Sequence, residues 1–223
     1  MLAALLFALV PGTPVEASYR VLFLGNSHTT TNDVPGLVKS SLKSAGMECE
    51  TKTIFGAHLD DLEDRADVIE ALQQDWTHVV FQGAMISSSH KYEYPQDKAI
   101  ALAKRAKDAK VLYFAEWPRK GWDESDYIYD HYAIIRKQAG GEIVPICHAW
   151  DAVLKSEPSL ALWTADGNHA ELPGSFLAAN TIAYWIAGTD TRLTFVPANL
   201  DLGTGARLRQ FAWQTVSEAR KSR

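Results

Sequence analysis

Arg20-Val21-Leu22-Phe23-Leu24-Gly25-Asn26-Ser27-His28-Thr29 sets four large apolar residues side by side, then a glycine, then a polar, hydroxyl-rich segment. Apolar residues that do not alternate with polar ones must bury both faces of a strand. That is how a strand of a parallel sheet covered by helices on both sides reads. The pattern returns at His78-Val79-Val80-Phe81-Gln82-Gly83, and again, without the glycine, at Val111-Leu112-Tyr113-Phe114-Ala115. Between these runs the chain changes period. After Asn32, Asp33 suits a helix N-cap with Pro35 in the first turn; the helix runs through Leu42 and stops at Gly46. Glu48 to Phe55 reads as a second strand and Leu62 to Leu72 as an amphipathic helix. Asp97 to Ala109 reads as a helix with Lys98, Lys104, Arg105 and Lys107 on its polar side. Tyr127 to Ala139 is helical, stopped by Gly140-Gly141. Glu142 to Ile146 is a fifth strand, placed at a sheet edge by Pro145. Gly174 to Ile186 is a long apolar helix, and the basic residues of Arg207 to Arg223 form a solvated helix face. Strand and helix alternate throughout, which gives an α/β domain with a mostly parallel sheet and helices on both faces. In such folds ligands bind beyond the carboxyl ends of the strands.

Composition bounds the rest. The 223 residues are 47% hydrophobic, 22% charged and 10% aromatic, as for one ordinary globular domain. The net charge of −5 argues against a nucleic-acid partner. Two cysteines exclude a disulfide scaffold, and no Cys-x-x-C pair suggests a zinc ribbon. The chain begins with an apolar run, Met1 to Val10, broken by Pro11, Gly12 and Pro14, with Val15-Glu16-Ala17 as a cleavage site. Residues 1–17 read as a secretory leader, although no Lys or Arg precedes Arg20. Residues 18–223 are then the mature domain, exported to the periplasm or beyond, with a net charge of −4 once Glu16 is lost. No other run is apolar enough to keep the mature chain in a membrane.

Two segments carry chemistry. Ser27 follows a buried strand and precedes a capped helix, so its hydroxyl can face a cleft near a helix N-terminus. By itself it reads first as a turn serine. Gly25 has no partner glycines for a phosphate loop. The second segment is Asp166-Gly167-Asn168-His169. An Asp and a His three apart in a turn can put the carboxylate on one imidazole nitrogen and leave the other free to take a proton. Alone this too is an ordinary turn. Together, in the order Ser, Asp, His and with Asp166 139 positions after Ser27, the segments fit the pattern of a serine-hydrolase triad of Ser27, Asp166 and His169. Position 29 is Thr, so this is not a G-x-S-x-G nucleophile elbow.

Gly25-Asn26-Ser27 after the first strand, with Asp166-x-x-His169 before a long apolar helix, resembles the SGNH/GDSL hydrolase family, whose corresponding blocks are GDS and Asp-x-x-His. The likeness extends over nearly all of residues 18–223 and marks a divergent branch. It implies a three-layer α/β/α flavodoxin-like fold with a five-stranded parallel sheet in the order 2-1-3-4-5. It implies an oxyanion hole from the N–H groups of Ser27 and Gly56. The family's Gly-x-Asn block, whose Asn side chain donates to the oxyanion, is missing after the third strand, where Gln82 carries the same amide on a longer stem and is assigned that oxyanion role. The expected activity is that of a serine esterase acting on acyl or acetyl esters of a small molecule or carbohydrate, with no cofactor. An acyltransferase or thioesterase using the same triad is an alternative. So is a catalytically silent binding domain in a polysaccharide system.

Other residues are weighed beside these. His28 shapes the pocket or simply fills a turn. Trp117 and Trp122, after the fourth strand near Arg119 and Lys120, can stack on a sugar ring or pack a loop. Ser87-Ser88-Ser89-His90 forms a rim. Cys147-His148 ends the fifth strand, with too few further ligands for a metal site. With Cys49 in strand two and Cys147 in strand five, at opposite edges of the sheet, no disulfide is expected. Sequence leaves the oligomeric state open.

Overall fold

The computed structural model describes residues 18–106 and 108–221. The leader assigned to residues 1–17 lies outside the described residues. Five parallel strands form one sheet: β1 (Ser18–Gly25), β2 (Glu48–Phe55), β3 (His78–Phe81), β4 (Lys110–Phe114) and β5 (Glu142–Val144), in the order β2-β1-β3-β4-β5. The helices are α1 (Ser27–Thr30), α2 (Val34–Lys43), α3 (Ala66–Leu72), α4 (Asp97–Lys104), α5 (Ser125–Ala139), α6 (Ile146–Ser156), α7 (Leu172–Ala187) and α8 (Leu202–Lys221).

The unbroken apolar runs are explained by two separate cores. Side chains alternate across a strand. Val21 and Phe23 of β1 therefore join Val80, Leu112, Phe114 and Val144 under α2, α6, α7 and α8. Leu22 and Leu24 join Val79, Phe81, Val111, Tyr113 and Ile143 under α3, α4 and α5. The result is the expected three-layer α/β/α sandwich. Helix α7 packs against α2, α6 and α8, and every residue from Gly174 to Ile186 is buried, so it needs no polar face. Gly174 permits that packing, since a Cβ there would come within 2.3 Å of Trp150 Cη2.

Several element boundaries differ from the sequence reading. The fifth strand ends at Val144, and Pro145 caps a helix, α6. β5 is an edge strand, but Pro145 is not part of it. Cys147 and His148 thus begin α6 rather than ending a strand. Cys49 and Cys147 are both free and belong to the two opposite cores. The helix expected from Leu62 begins at Ala66, after a 3₁₀ turn at Leu59–Asp61; Arg65 before it is extended, and its Nη1 donates to the Phe55 carbonyl at 2.5 Å. Helix α4 ends at Lys104, short of Ala109. Among the described residues, no helix is long and apolar enough to cross a membrane.

Candidate active site

The carboxyl ends of β1, β3 and β4 meet two loops that bring Ser27, His169 and Asp166 together. Asn26 follows β1 and caps α1, its Oδ1 accepting from the His28 N–H at 3.0 Å. This turns the chain sharply after Gly25 and leaves Ser27 as the first residue of a single helical turn. Gly25 is required here, because a Cβ would lie 2.4 Å from Thr29 Oγ1 and 2.8 Å from Gln82 Oε1.

His169 arrives on a loop closed by a bridge between Trp163 and Ala170 and by the Thr164 N–H bonded to the His169 carbonyl at 2.8 Å. Gly167 supplies the left-handed conformation that the turn needs, at φ +71°. The segment after β4 braces this loop. Trp117 Nε1 donates to the Asn168 carbonyl at 2.8 Å, and the Lys120 N–H donates to the Gly167 carbonyl at 2.8 Å.

His169 Nε2 lies 2.8 Å from Ser27 Oγ, and His169 Nδ1 lies 2.6 Å from Asp166 Oδ2. The other carboxylate oxygen, Oδ1, accepts from Thr164 Oγ1 at 2.7 Å and from the N–H groups of Asn168 and His169 at 2.8 and 2.9 Å. The Thr164 hydroxyl, then His169 and the backbone donors, hold the Asp166 carboxyl well below the usual carboxylate range. An ionised Asp166 fixes the Nδ1–H tautomer of His169, so that Nε2 faces Ser27 as an acceptor. Asn32, a site residue the sequence reading did not single out, ties the two halves. Its Nδ2 donates to the Ala170 carbonyl at 2.9 Å and to Ser175 Oγ at 3.0 Å.

The expected oxyanion donors need correction. The Gly56 N–H extends the β1–β2 ladder by donating to the Gly25 carbonyl at 3.0 Å, so it is not free. Gly56 serves packing instead, since a Cβ there would meet Leu62 at 2.5 Å. Gln82 does not present a donor to the cleft either. Its Oε1 accepts from the Asn26 N–H at 2.9 Å and from Thr29 Oγ1 at 3.0 Å, and its Nε2 is sealed inside, on the side of Glu116. The Ser27 N–H and the next amide beyond Gly56, that of exposed Ala57, have no acceptor among the described residues. Ala57 is held next to the Asn26–Thr29 turn by its carbonyl, which accepts from Asn26 Nδ2 at 3.0 Å.

A cavity of about 150 Å³ is bordered by His28 and Asn168, the chain neighbours of Ser27 and His169, and by Ser88, Glu116, Trp117 and Arg119 among others. His28 stands between Trp117 and His169, at ring separations of 4.7 and 5.7 Å. Burial, together with the nearby His169, lowers its pKa to about 4, so it is neutral near pH 7. Trp117 cannot stack on a sugar. It is 2% exposed, with Trp150 stacked at 4.7 Å and His28 at the same separation. Trp122 is 51% exposed, but the Arg119 guanidinium lies 4.0 Å over its ring. The serine rim is ordered partly by Arg119, whose Nη2 donates to the Ser88 carbonyl at 2.8 Å. Among the described residues no group of three or more His, Cys, Asp or Glu side chains could hold a metal ion.

No protein-family model matches this chain, and no curated protein does. Among solved structures it is similar to the crystal structure of a "putative GDSL-like lipase" from Parabacteroides merdae ATCC 43184. The TM-score is 0.57 at 18% identity, over 78% of this chain and 97% of that one. A likeness at that identity speaks for a shared fold.

Proposed function

We propose that this protein is a serine esterase of the SGNH/GDSL kind, acting on short acyl or acetyl esters. The observation that carries this reading is the continuous line from Ser27 Oγ through His169 to Asp166, at 2.8 and 2.6 Å. The shared fold with a protein named for GDSL-like lipases supports it.

In this mechanism His169 Nε2 accepts the Ser27 proton as Oγ attacks the ester carbonyl carbon. Asp166 stabilises the imidazolium that forms. The tetrahedral oxyanion is received by the N–H groups of Ser27 and Ala57, the amides left without acceptors. Collapse expels the alcohol, which takes the proton from His169. Water, activated by the same imidazole, then releases the acid and restores Ser27. The cavity of about 150 Å³ suits a short acyl chain or one sugar-sized group rather than a long lipid tail. The apolar start of the sequence fits an exported enzyme with an ester-bearing carbohydrate or small molecule as substrate.

The test is labelling with a fluorophosphonate probe, together with turnover of 4-nitrophenyl acetate. Labelling of the wild type but not of Ser27→Ala, with turnover lost in the variant, supports the esterase. A folded wild type that neither labels nor turns over the ester sinks it in favour of a binding domain.

A further inference from the structure

A carboxyl group is buried in the wall of the same cavity with no cation to balance it. Glu116, two residues beyond β4, is 8% exposed and borders the cavity with His28, Trp117 and Asn168. Its Oε2 accepts from the Tyr132 hydroxyl at 2.7 Å. The Tyr132 oxygen itself accepts from the N–H groups of Gly83 and Ala84 at 3.0 and 3.3 Å, so its hydrogen is committed to Glu116. The Gln82 amide, beyond β3, is the other polar group that acts on this carboxyl, and no cation is among the groups that set its charge.

The surroundings offer little compensation. The Gln82 amide beyond β3 and Tyr132 of α5 favour the charged form; Glu124, just before α5, disfavours it; neutral His28 of α1 borders the same cavity, and the Cys147 thiol of α6 lies close by. Arg119, the cationic group of the cavity wall, is spent on Glu124, with Nε at 3.1 and 3.2 Å from its two carboxylate oxygens and Nη2 at 2.8 Å from Oε2. Burial outweighs the donors and lifts the Glu116 carboxyl to about 7. A carboxyl left unpaired in a protein interior costs stability, and such groups concentrate where a ligand uses them.

The chemistry of the wall selects the ligand. An anion would meet Glu116 and Glu124. An ammonium is matched only by the ionised carboxylate, the form that burial disfavours. A purely apolar chain would close the cavity over the carboxyl and offer it no donor beyond Tyr132 and Gln82, at a cost in desolvation. An uncharged hydroxyl can donate to a carboxylate or accept from a carboxylic acid, and its neighbours on the same molecule can use the Asn168 amide and the Ser88 hydroxyl. We propose that Glu116 is the specificity-determining residue of this cavity and that it binds a free hydroxyl of a polyhydroxylated substrate, such as a partly acylated sugar. The ester half of that substrate rests on the esterase reading; the hydroxyl half does not.

The experiment compares kcat/KM for methyl 6-O-acetyl-α-D-glucopyranoside with kcat/KM for 4-nitrophenyl acetate, in wild type, Glu116→Leu and Glu116→Gln. The ratio of the two is expected to fall about 10- to 100-fold in Glu116→Leu, through KM for the sugar ester. It should fall less in Glu116→Gln, which can still accept from Tyr132 and from a substrate hydroxyl. A merely structural role moves both esters together and leaves the ratio unchanged, which overturns the proposal. Should the leucine variant not fold, an unchanged ratio in the glutamine variant overturns it equally. If the wild type turns over neither ester and resists the fluorophosphonate, the esterase reading falls, and Glu116 is read by saturation-transfer NMR with methyl α-D-glucopyranoside. Binding by the wild type that is lost in Glu116→Leu supports the proposal, and absence of binding by the wild type overturns it. Wild-type protein that hydrolyses the aryl ester but neither hydrolyses nor binds the sugar probes keeps the esterase and loses the proposal.

Discussion

The side-chain carbonyl of Gln82, at the end of β3, accepts the backbone N–H of Asn26, at the end of β1, at 2.9 Å. The two residues lie 56 positions apart, and the bond spans the point where adjacent strands deliver the turn that carries Ser27. The orientation of the amide is fixed, because an N–H can be met only by the oxygen end. The same oxygen takes the Thr29 hydroxyl at 3.0 Å, so one buried atom holds both ends of the Asn26–Thr29 turn. Gln82 thereby positions Ser27 without touching the reacting atoms. Gln82→Leu strips the acceptor from two donors, each worth about 1–3 kcal/mol when left unsatisfied. The expected result is a clear fall in Tm in thermal unfolding together with reduced esterase kcat. A residue acting as an oxyanion donor would lower kcat with little change in Tm.

Asp166 makes four hydrogen bonds from two oxygens, and its carboxyl stays ionised far into acid. Asp166→Asn replaces one acceptor by an NH₂ group that cannot accept from His169 Nδ1–H. The imidazole then loses both its tautomer preference and its partner. The expected fall in kcat is on the order of 10⁴ at neutral pH. Steady-state turnover of 4-nitrophenyl acetate measures it, with circular dichroism checking that the fold is retained. A fall of tenfold or less would separate Asp166 from the catalytic chemistry.

Asn32 adopts φ +56° and is followed by Asp33 at φ +52°. Asn and Asp tolerate this left-handed region better than most side chains. The reward is long-range: Asn32 Nδ2 reaches the Ala170 carbonyl, 138 residues away, one position beyond His169. Asn32→Ala keeps Ser27 and His169 but releases the strap between their segments. Esterase kcat should drop about 10- to 100-fold, as small misplacements of reacting groups do. Asn32→Asp, which keeps the backbone preference but cannot donate to the Ala170 carbonyl, should not restore it. Recovery in the aspartate variant would mean that the strap is unimportant.

The parts of this site that sequence exposes are the local ones. β1 announces itself because burial on both faces leaves no alternation, and Ser27 follows its last residue directly. Asp166 and His169 share one tight turn, so their spacing alone carries the contact. Groups that depend on distant partners stay hidden. Glu116 is one acidic residue after a strand like many others; its partner Tyr132 comes from α5, and Arg119 nearby is paired with Glu124. Trp117 reads as an exposed indole until Trp150 and His28 cover its faces. Trp150 belongs to α6, whose start the apolar Ile143-Val144-Pro145-Ile146 run disguises as strand. A proline fits either a strand edge or a helix start, and only the burial of Ile146, Ala149, Trp150 and Val153 under one face decides it.

The uncompensated Glu116 also has a stability signature of definite sign. Burial raises its pKa from 4.5 to about 7 in the folded protein. The folded state therefore holds this proton more tightly than the unfolded one. Below the unfolded pKa both states are protonated and the group makes no pH-dependent difference. As pH rises from there through the folded pKa, the folded state must either keep a proton the unfolded chain has lost or bury a charge, and stability declines. At one pKa unit per 1.36 kcal/mol the loss is about 3 kcal/mol once pH exceeds 7. Glu116→Gln keeps the acceptor for Tyr132 and never ionises. It should therefore unfold at nearly the wild-type temperature at pH 5 and several degrees higher at pH 8, as measured by calorimetry across that range. A constant difference between the two proteins from pH 5 to pH 8 would mean that Glu116 is already ionised, and stabilised as such, throughout.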